Sequence, residues 1–211
     1  MIASPRPASV LLLALVGLAG TACATNPPPA DSNAAAAAVE ATDATNPAHA
    51  RLAQALRDGA AAQARGHDGA DALLAAANRL LALGASPVDG GVDLARQWRD
   101  DALAAGAQPR QPPMRGRALG AAYARGSLAA GGRNATRQVF LAGKAASVTV
   151  VPLSEQAIDV AIGPENKPAA CARRASKPQA SCRWIPGFTE RYVIELANHG
   201  PNPADYFIIV D

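Results

Sequence analysis

The sequence is poor in the residue types from which most catalytic sites are built. It holds three histidines and three cysteines, and aromatic residues make up 4% of the chain. No Gly-x-Ser-x-Gly, His-Glu-x-x-His or Ser-x-x-Lys motif is present, so no nucleophile, base and orienting group can be assigned. We therefore expect no enzymatic activity and no cofactor.

Acidic residues are missing from one long stretch, which limits its partners. Residues 107–136 are rich in proline and glycine and contain arginines at 110, 115, 117, 125 and 133. This composition predicts a solvated basic linker, and its charge could favour anionic lipid headgroups, lipopolysaccharide or an acidic partner. Tyr123 is the one aromatic residue of this stretch that could stack on a base between the arginines, and export also disfavours nucleic acid. We therefore expect no nucleic-acid binding.

Residues 1–24 have the pattern of an export signal. A short cationic start precedes an apolar run over 10–18, shorter than the ~20 residues that a membrane-spanning helix requires. Cys23 stands where a lipoprotein signal peptidase leaves an acylated cysteine, which predicts an outer-membrane lipoprotein facing the periplasm or the cell surface. Cleavage after Ala24 is the alternative, because Ala22 and Ala24 also form a small-x-small site, and it would release a soluble periplasmic protein.

Between the signal and the basic stretch, a polar tether and a helical region are expected. Residues 25–45 offer no apolar face and predict a disordered tether. Capping residues and glycine stops divide the region 46–106 into a helical hairpin or three-helix segment, either a spacer or docking layer or a unit packed on itself. The predicted helix limits are Asn46 to Arg65, Asp68 or Asp71 to Gly84, and Asp93 to Gly106.

From residue 137 the hydrophobic period changes to two, which is typical of β-strands. The pattern predicts an antiparallel, jelly-roll-like β-sandwich over 137–211, so that the whole chain is of the α+β class. The predicted strands are Gln138–Leu141, Ser147–Val151, Ala157–Ile162, Cys182–Ile185, Arg191–Ala197 and Tyr206–Val210.

Two cysteines remain once Cys23 is lipidated or removed. An even count in an oxidising compartment predicts a Cys171–Cys182 disulfide, because a metal pair would lack any nearby histidine or third thiol. Such a bridge closes a loop of about 10 residues, for which chain entropy suggests roughly 2–3 kcal/mol.

A series of short motifs follows a fixed order through residues 137–211. The motifs are Phe140-Leu-Ala-Gly143, Val148-Thr-Val150, Ile158-Asp-Val160, Trp184-Ile-Pro186, Tyr192-Val-Ile-Glu-Leu196, Asn198-His-Gly200 and Tyr206-Phe-Ile208. This order resembles the bacterial pre-peptidase C-terminal domain, a β-sandwich appended to secreted proteins. Only Asp159 is left of the paired aspartates of that family, with alanines two positions to either side, so we expect no calcium or other metal site.

The segment between the two cysteines carries the candidate binding residues. Arg173, Arg174 and Lys177 predict a cationic loop that favours an anion or an acidic partner, although exposed loops are also charged for solubility. Trp184 follows the second cysteine and could stack on a sugar ring, or it could pack in the core or against the disulfide.

Together these features predict a non-catalytic cell-envelope protein whose β-sandwich is a binding or structural module. Its expected partners are an envelope protein or an anionic surface glycan or lipid, with membrane attachment through the N-terminal anchor. One alternative is an accessory or inhibitory factor for a secreted hydrolase, and another is an enzyme whose site the sequence does not reveal.

Overall fold

The computed structural model of the protein describes residues 46–109 and 119–211. The export signal with Cys23, the tether over 25–45, and the arginines at 110, 115 and 117 lie outside the described residues. Lipidation and the tether therefore stay predictions.

The helical region contains the three helices that the capping residues predicted. Asn46 caps the first, since its Oδ1 accepts a hydrogen bond from the backbone N–H of Ala48 at 3.0 Å. Asp93 caps the third in the same way, accepting from the N–H of Arg96 at 3.1 Å. The helices are α1 (Pro47–Ala64), α2 (Ala70–Ala82), which follows a 3₁₀ turn at Gly66–Gly69, and α3 (Leu94–Ala104).

A glycine follows each of the three described helices and ends it. Gly66, Gly84 and Gly106 follow α1, α2 and α3 with φ of 59°, 65° and 87°, a conformation that glycine adopts without a Cβ clash. Within the described ranges, none of the helices is long and apolar enough to cross a bilayer.

Two β-sheets follow the helices. The strands are β1 (Ser86–Pro87), β2 (Ala122–Leu128), β3 (Arg133–Phe140), β4 (Ala146–Pro152), β5 (Ile158–Pro164), β6 (Cys171–Ala175), β7 (Ala180–Trp184), β8 (Glu190–Asn198) and β9 (Ala204–Val210). Sheet A has the order β1-β2-β9-β4-β7, and sheet B has the order β3-β8-β5-β6. The two-residue β1 pairs with β2 in parallel, and the other neighbours pair antiparallel.

The stretch expected to be a linker, 107–136, contains a strand. Strand β2 pairs with β9 along its whole length, from Ala122 opposite Val210 to Leu128 opposite Ala204, and β3 begins at Arg133. The sequence Ala-Tyr-Ala-Arg-Gly-Ser-Leu contains no β-branched residue, so β-propensity does not reveal it. Burial of Tyr123 and Leu128 and the ladder to β9 make it a strand.

The expected cationic loop between the cysteines is also corrected. Residues 171–175 form β6 at the edge of sheet B, and residues 180–184 form β7 at the edge of sheet A, with only a short turn between them. The predicted Cys171–Cys182 disulfide is confirmed and joins these two edge strands, with their Cα atoms 6.1 Å apart. It links the two sheets along one open side of the sandwich.

The molecule has three layers and two cores. The inner faces of the sheets enclose one core, to which Val148 and Val150 of β4 contribute. The helices cover the outer face of sheet A, where Trp98 of α3 meets Phe207 of β9 at a ring-centroid distance of 6.5 Å. All residues of β4 are buried because both of its faces are covered. The helices and sheets belong to one compact unit, and the outer face of sheet B carries no helix among the described residues.

Candidate functional site

A concavity of about 680 Å³ lies on the outer face of sheet B. Strand register defines this face, because residues that alternate along each strand point to the same side. Val160 and Leu196 face inward and are buried, so their neighbours Asp159, Ala161 and Glu195 face outward. The concavity is thus built on β-strands that the sandwich core holds in place.

The floor of the concavity is made of small side chains around one carboxylate. Glu195 lies on β8, with Ala135 of β3 on one side and Ala161 of β5 on the other, and Ala172 of β6 follows in the same cross-strand row. In the part of the chain that the structure describes, Glu195 has no ion-pair partner. An exposed negative charge therefore stands over an apolar floor.

The neighbouring cross-strand row is polar and ends in an ion pair. Its members, from β3 to β6, are Arg133, Ala197, Asp159 and Arg174. The Arg174 guanidinium donates two hydrogen bonds to the Asp159 carboxylate, at 2.7 Å and 3.3 Å. His199 Nε2 lies 3.3 Å from the same carboxylate. Arg174 is therefore hydrogen-bonded to Asp159. Arg133 lies at the other end of the row, three strands from Arg174, which is roughly 14 Å at the usual strand spacing.

The Arg174–Asp159 pair changes the titration of both groups. The hydrogen bond from Arg174 holds the pKa of the Asp159 carboxyl below its usual range, with smaller lowering contributions from the charges of Arg174 and His199. The same hydrogen bond raises the pKa of Arg174. Asp159 is thus ionised and held by the Arg174 guanidinium, which leaves it poorly placed as a calcium ligand.

The structure separates the residues that the sequence grouped as a binding site. Arg173 and Arg174 both line the concavity. Lys177 lies in the turn between β6 and β7, where its Nζ is 2.6 Å from Glu155 Oε1. The anion- or partner-binding role of the arginines stays a prediction.

Trp184 is not available for sugar stacking, because only 3% of it is exposed. Its ring contacts those of Phe140 and Tyr192 in the sandwich core, with centroid distances of 4.9 Å and 5.4 Å. The alternative of core packing is therefore the one that the structure supports.

Glu195 and the floor alanines Ala135, Ala161 and Ala172 were not predicted from the sequence. The alternation Val193, Glu195, Ala197 along β8 signals an outward face, but alanines in a strand give no sign that they border a concavity. Only the register of four strands brings them together.

A second polar group lies beneath α1 and contains the residue types of a hydrolytic site. His49 Nδ1 is 2.9 Å from Thr149 Oγ1 and 3.4 Å from Ser147 Oγ, and Thr149 Oγ1 is 2.9 Å from Ser181 Oγ. All four residues are buried between α1 and sheet A. Burial lowers the pKa of His49, partly offset by the charge of Asp211. This group connects the helix layer to sheet A and is closed to a substrate.

The described residues hold no group of three or more His, Cys, Asp or Glu side chains placed as metal ligands. Asp159, the residue that the resemblance connects with calcium, is hydrogen-bonded to Arg174 and lies beside His199.

Comparison with known proteins finds similarity in solved structures alone. No family model and no curated protein matches the sequence. The pre-peptidase C-terminal domain of collagenase from Bacillus anthracis is similar over 43% of this chain and 89% of its own, with 13% identity and a TM-score of 0.39. PliG from Aeromonas hydrophila, a periplasmic inhibitor of g-type lysozyme, is similar over 43% of this chain and 84% of its own, with 16% identity and a TM-score of 0.33.

A de novo designed double-stranded β-helix is also similar, over 42% of this chain and 97% of its own, with 12% identity and a TM-score of 0.31. The similarity to a pre-peptidase C-terminal domain lies in one segment of the chain, as the ordered motifs indicated. At these identities it extends to the fold alone.

Proposed function

We propose that this chain is an exported, non-catalytic binding module whose concave sheet B face holds a segment of an envelope protein. The observation that carries the proposal is the concavity itself, about 680 Å³ on ordered strands and free of a covering helix among the described residues. Pre-formed concave surfaces with a few polar groups are the usual setting of ligand sites.

The side chains of the face favour a partner segment that carries a basic group. Small floor residues such as Ala135 and Ala161 let an extended segment lie close to the strands. Glu195 offers the carboxylate that a lysine or arginine of the partner would pair with. The arginines that line the face, Arg133, Arg173 and Arg174, lie on its two edge strands, whereas Glu195 lies on the central strand β8. A charged group at the middle of the face therefore meets the carboxylate, which favours a basic group there over an anionic glycan or headgroup.

Two further observations support an exported module without catalysis. The Cys171–Cys182 disulfide is of a kind that persists in oxidising compartments. The grouping of His49 with three hydroxyl side chains is closed off by α1 and sheet A, so it offers no surface to a substrate. A lipid on Cys23 would keep such a module at the envelope.

The proposal is tested by affinity capture from envelope extract with the mature protein, using Cys23→Ser to remove the lipid. Glu195→Arg reverses the charge at the floor, and Asp101→Arg makes the same change on the exposed surface of α3 as a matched control. We expect one dominant protein to be captured by the parent and by Asp101→Arg and to be lost from Glu195→Arg.

Capture of the same proteins by Glu195→Arg and by the parent would contradict the proposed site. If the captured protein is a hydrolase, its rate of substrate hydrolysis is measured with and without the module. The comparison decides whether the chain acts as an accessory or inhibitory factor. Lower activity with the module, restored by Glu195→Arg, would identify an inhibitor acting through this face.

A further inference from the structure

Three large apolar side chains are exposed at one end of the sandwich. Leu141 is 56% exposed, Ile185 54% and Phe188 73%. They lie in the loops that connect β3 to β4 and β7 to β8, and we call these three residues the apolar tip. Large apolar side chains grouped at a loop end mark a surface that another molecule or a lipid phase covers.

Hydrogen bonds join the two loops into one ordered structure. The N–H of Gly143 donates to the carbonyl of Pro186 at 2.8 Å, and the N–H of Ala142 donates to Thr189 Oγ1 at 3.0 Å. The N–H of Lys144 also donates to the carbonyl of Leu141 at 3.2 Å, which closes the first loop. The apolar tip is therefore presented on a fixed frame.

Two cations, Lys144 and Arg183, and one carboxylate, Asp211, lie around the apolar tip, since Asp211 lines the same hollow as Leu141 and Lys144. Neither loop contains an acidic residue, and Lys144 lies in the first of them. Arg183 is exposed near the end of β7, and Glu190, which follows the second loop, is paired with Lys167 at 2.7 Å. Apolar side chains bordered by cations match a lipid surface with anionic headgroups.

The direction of α1 places the start of the described chain at the same end. Ala146 lies opposite Trp184 in the ladder, so the start of β4 and the end of β7 border the apolar tip. Near its beginning α1 contacts Ser147 through His49. Eight residues later, Arg57 donates to the carbonyl of Pro178, beyond the other end of β7. Helix α1 therefore runs away from the apolar tip, and its N-terminus lies on the side of the tip.

We propose that the apolar tip docks on an anionic lipid bilayer, with Leu141, Ile185 and Phe188 entering the headgroup region and Lys144 contacting anionic headgroups. The concave face on sheet B then remains open to the side of the bilayer. This contact goes beyond the proposed binding function and does not depend on it, because it uses a different surface. It requires no lipid on Cys23.

The test is flotation of the mature protein carrying Cys23→Ser with vesicles of equimolar phosphatidylglycerol and phosphatidylethanolamine. We expect the parent to float with the vesicles. Phe188→Ser should weaken the partition roughly tenfold, in line with the usual value of one buried apolar side chain. The triple serine variant of the apolar tip should abolish flotation. Leu103→Ser, at an exposed leucine on α3, should float as the parent does.

Two further arms separate docking through the apolar tip from general adsorption of the protein to vesicles. Lys144→Glu should reduce flotation on the anionic vesicles and should change little on vesicles of phosphatidylcholine. The emission of Phe188→Trp should shift to the blue when the anionic vesicles are added. The near-ultraviolet circular dichroism of every variant checks its fold.

Absence of parent flotation, or equal flotation of the triple variant, would overturn the proposal. A parent dimer in sedimentation that the triple variant abolishes, without vesicle binding, would assign the apolar tip to a second copy of the chain instead. Glu195→Arg should float as the parent does, so that failure of lipid docking and failure of the concave-face site are distinguishable.

Discussion

Replacing Cys171 and Cys182 by alanine removes the covalent connection between the edge strand of sheet B and the edge strand of sheet A. The two residues are separated by 11 positions in sequence, and both are buried in the sandwich core. We expect β6 to keep its ladder to β5, and β7 its ladder to β4, in the variant. The main effect therefore falls on the unfolded chain, which gains the conformations that the closed loop excluded.

The size of the effect follows from the loop length. The chain-entropy relation for a loop of this length amounts to about 3 kcal/mol at 25 °C. Loss of two buried sulfur atoms should add roughly 1 kcal/mol through imperfect packing. For a chain of this size, each kcal/mol lowers Tm by about 2–4 °C, so the loss from the loop alone should lower Tm by roughly 6–12 °C.

Denaturant unfolding of the Cys171→Ala/Cys182→Ala variant, beside the oxidised parent, measures this loss. The slope of the free energy of unfolding against denaturant should rise in the variant, because its unfolded state exposes more surface. The parent with its disulfide reduced should resemble the variant. A loss below about 1 kcal/mol would refute the view that this bridge limits the unfolded chain.

Three further predictions test the helix layer, the buried histidine and the ion pair. Gly59→Ala should lower the free energy of unfolding by about 1–3 kcal/mol in denaturant unfolding, because its Cβ would overlap the Trp98 ring. Burial lowers the pKa of His49, so the parent should lose stability as the pH falls below about 6.5. The loss should reach up to about 1.4 kcal/mol per pH unit relative to His49→Gln. An equal pH dependence of the free energy of unfolding in the two proteins would contradict this. Arg174→Gln should raise the pKa of the Asp159 carboxyl toward its ordinary value in an NMR titration, whereas an unchanged pKa would mean that Arg174 does not hold it.

Local sequence signals predicted the helices well because capping is a local effect. Asn46 and Asp93 each satisfy backbone N–H groups of the turn that follows them, so the residue and the helix start coincide. The start of α2 at Ala70 falls between the two predicted caps, since neither Asp68 nor Asp71 makes the capping hydrogen bond. The strands with alternating valine, isoleucine and tyrosine were predicted for the same local reason.

What the sequence could not predict depends on pairing between distant segments. The cationic sequence of β6 predicts a loop, yet its ladder to β5 and the disulfide make it an edge strand. The candidate site has the same origin, because Ala135, Ala161 and Glu195 lie on three strands whose register no local pattern specifies. The contact between His49 and Thr149 likewise joins residues 100 positions apart.

The most direct test of the central claim, that the concave face of sheet B holds a partner protein, is site-specific photocross-linking in intact cells. A photoreactive amino acid replaces Ala135, which is exposed beside Glu195, and in a control it replaces Gln97 on the exposed side of α3. The proposed site predicts a discrete protein adduct from position 135, lost when Glu195→Arg is added, and none from position 97. No adduct at position 135, or the same adduct from both positions, would contradict it.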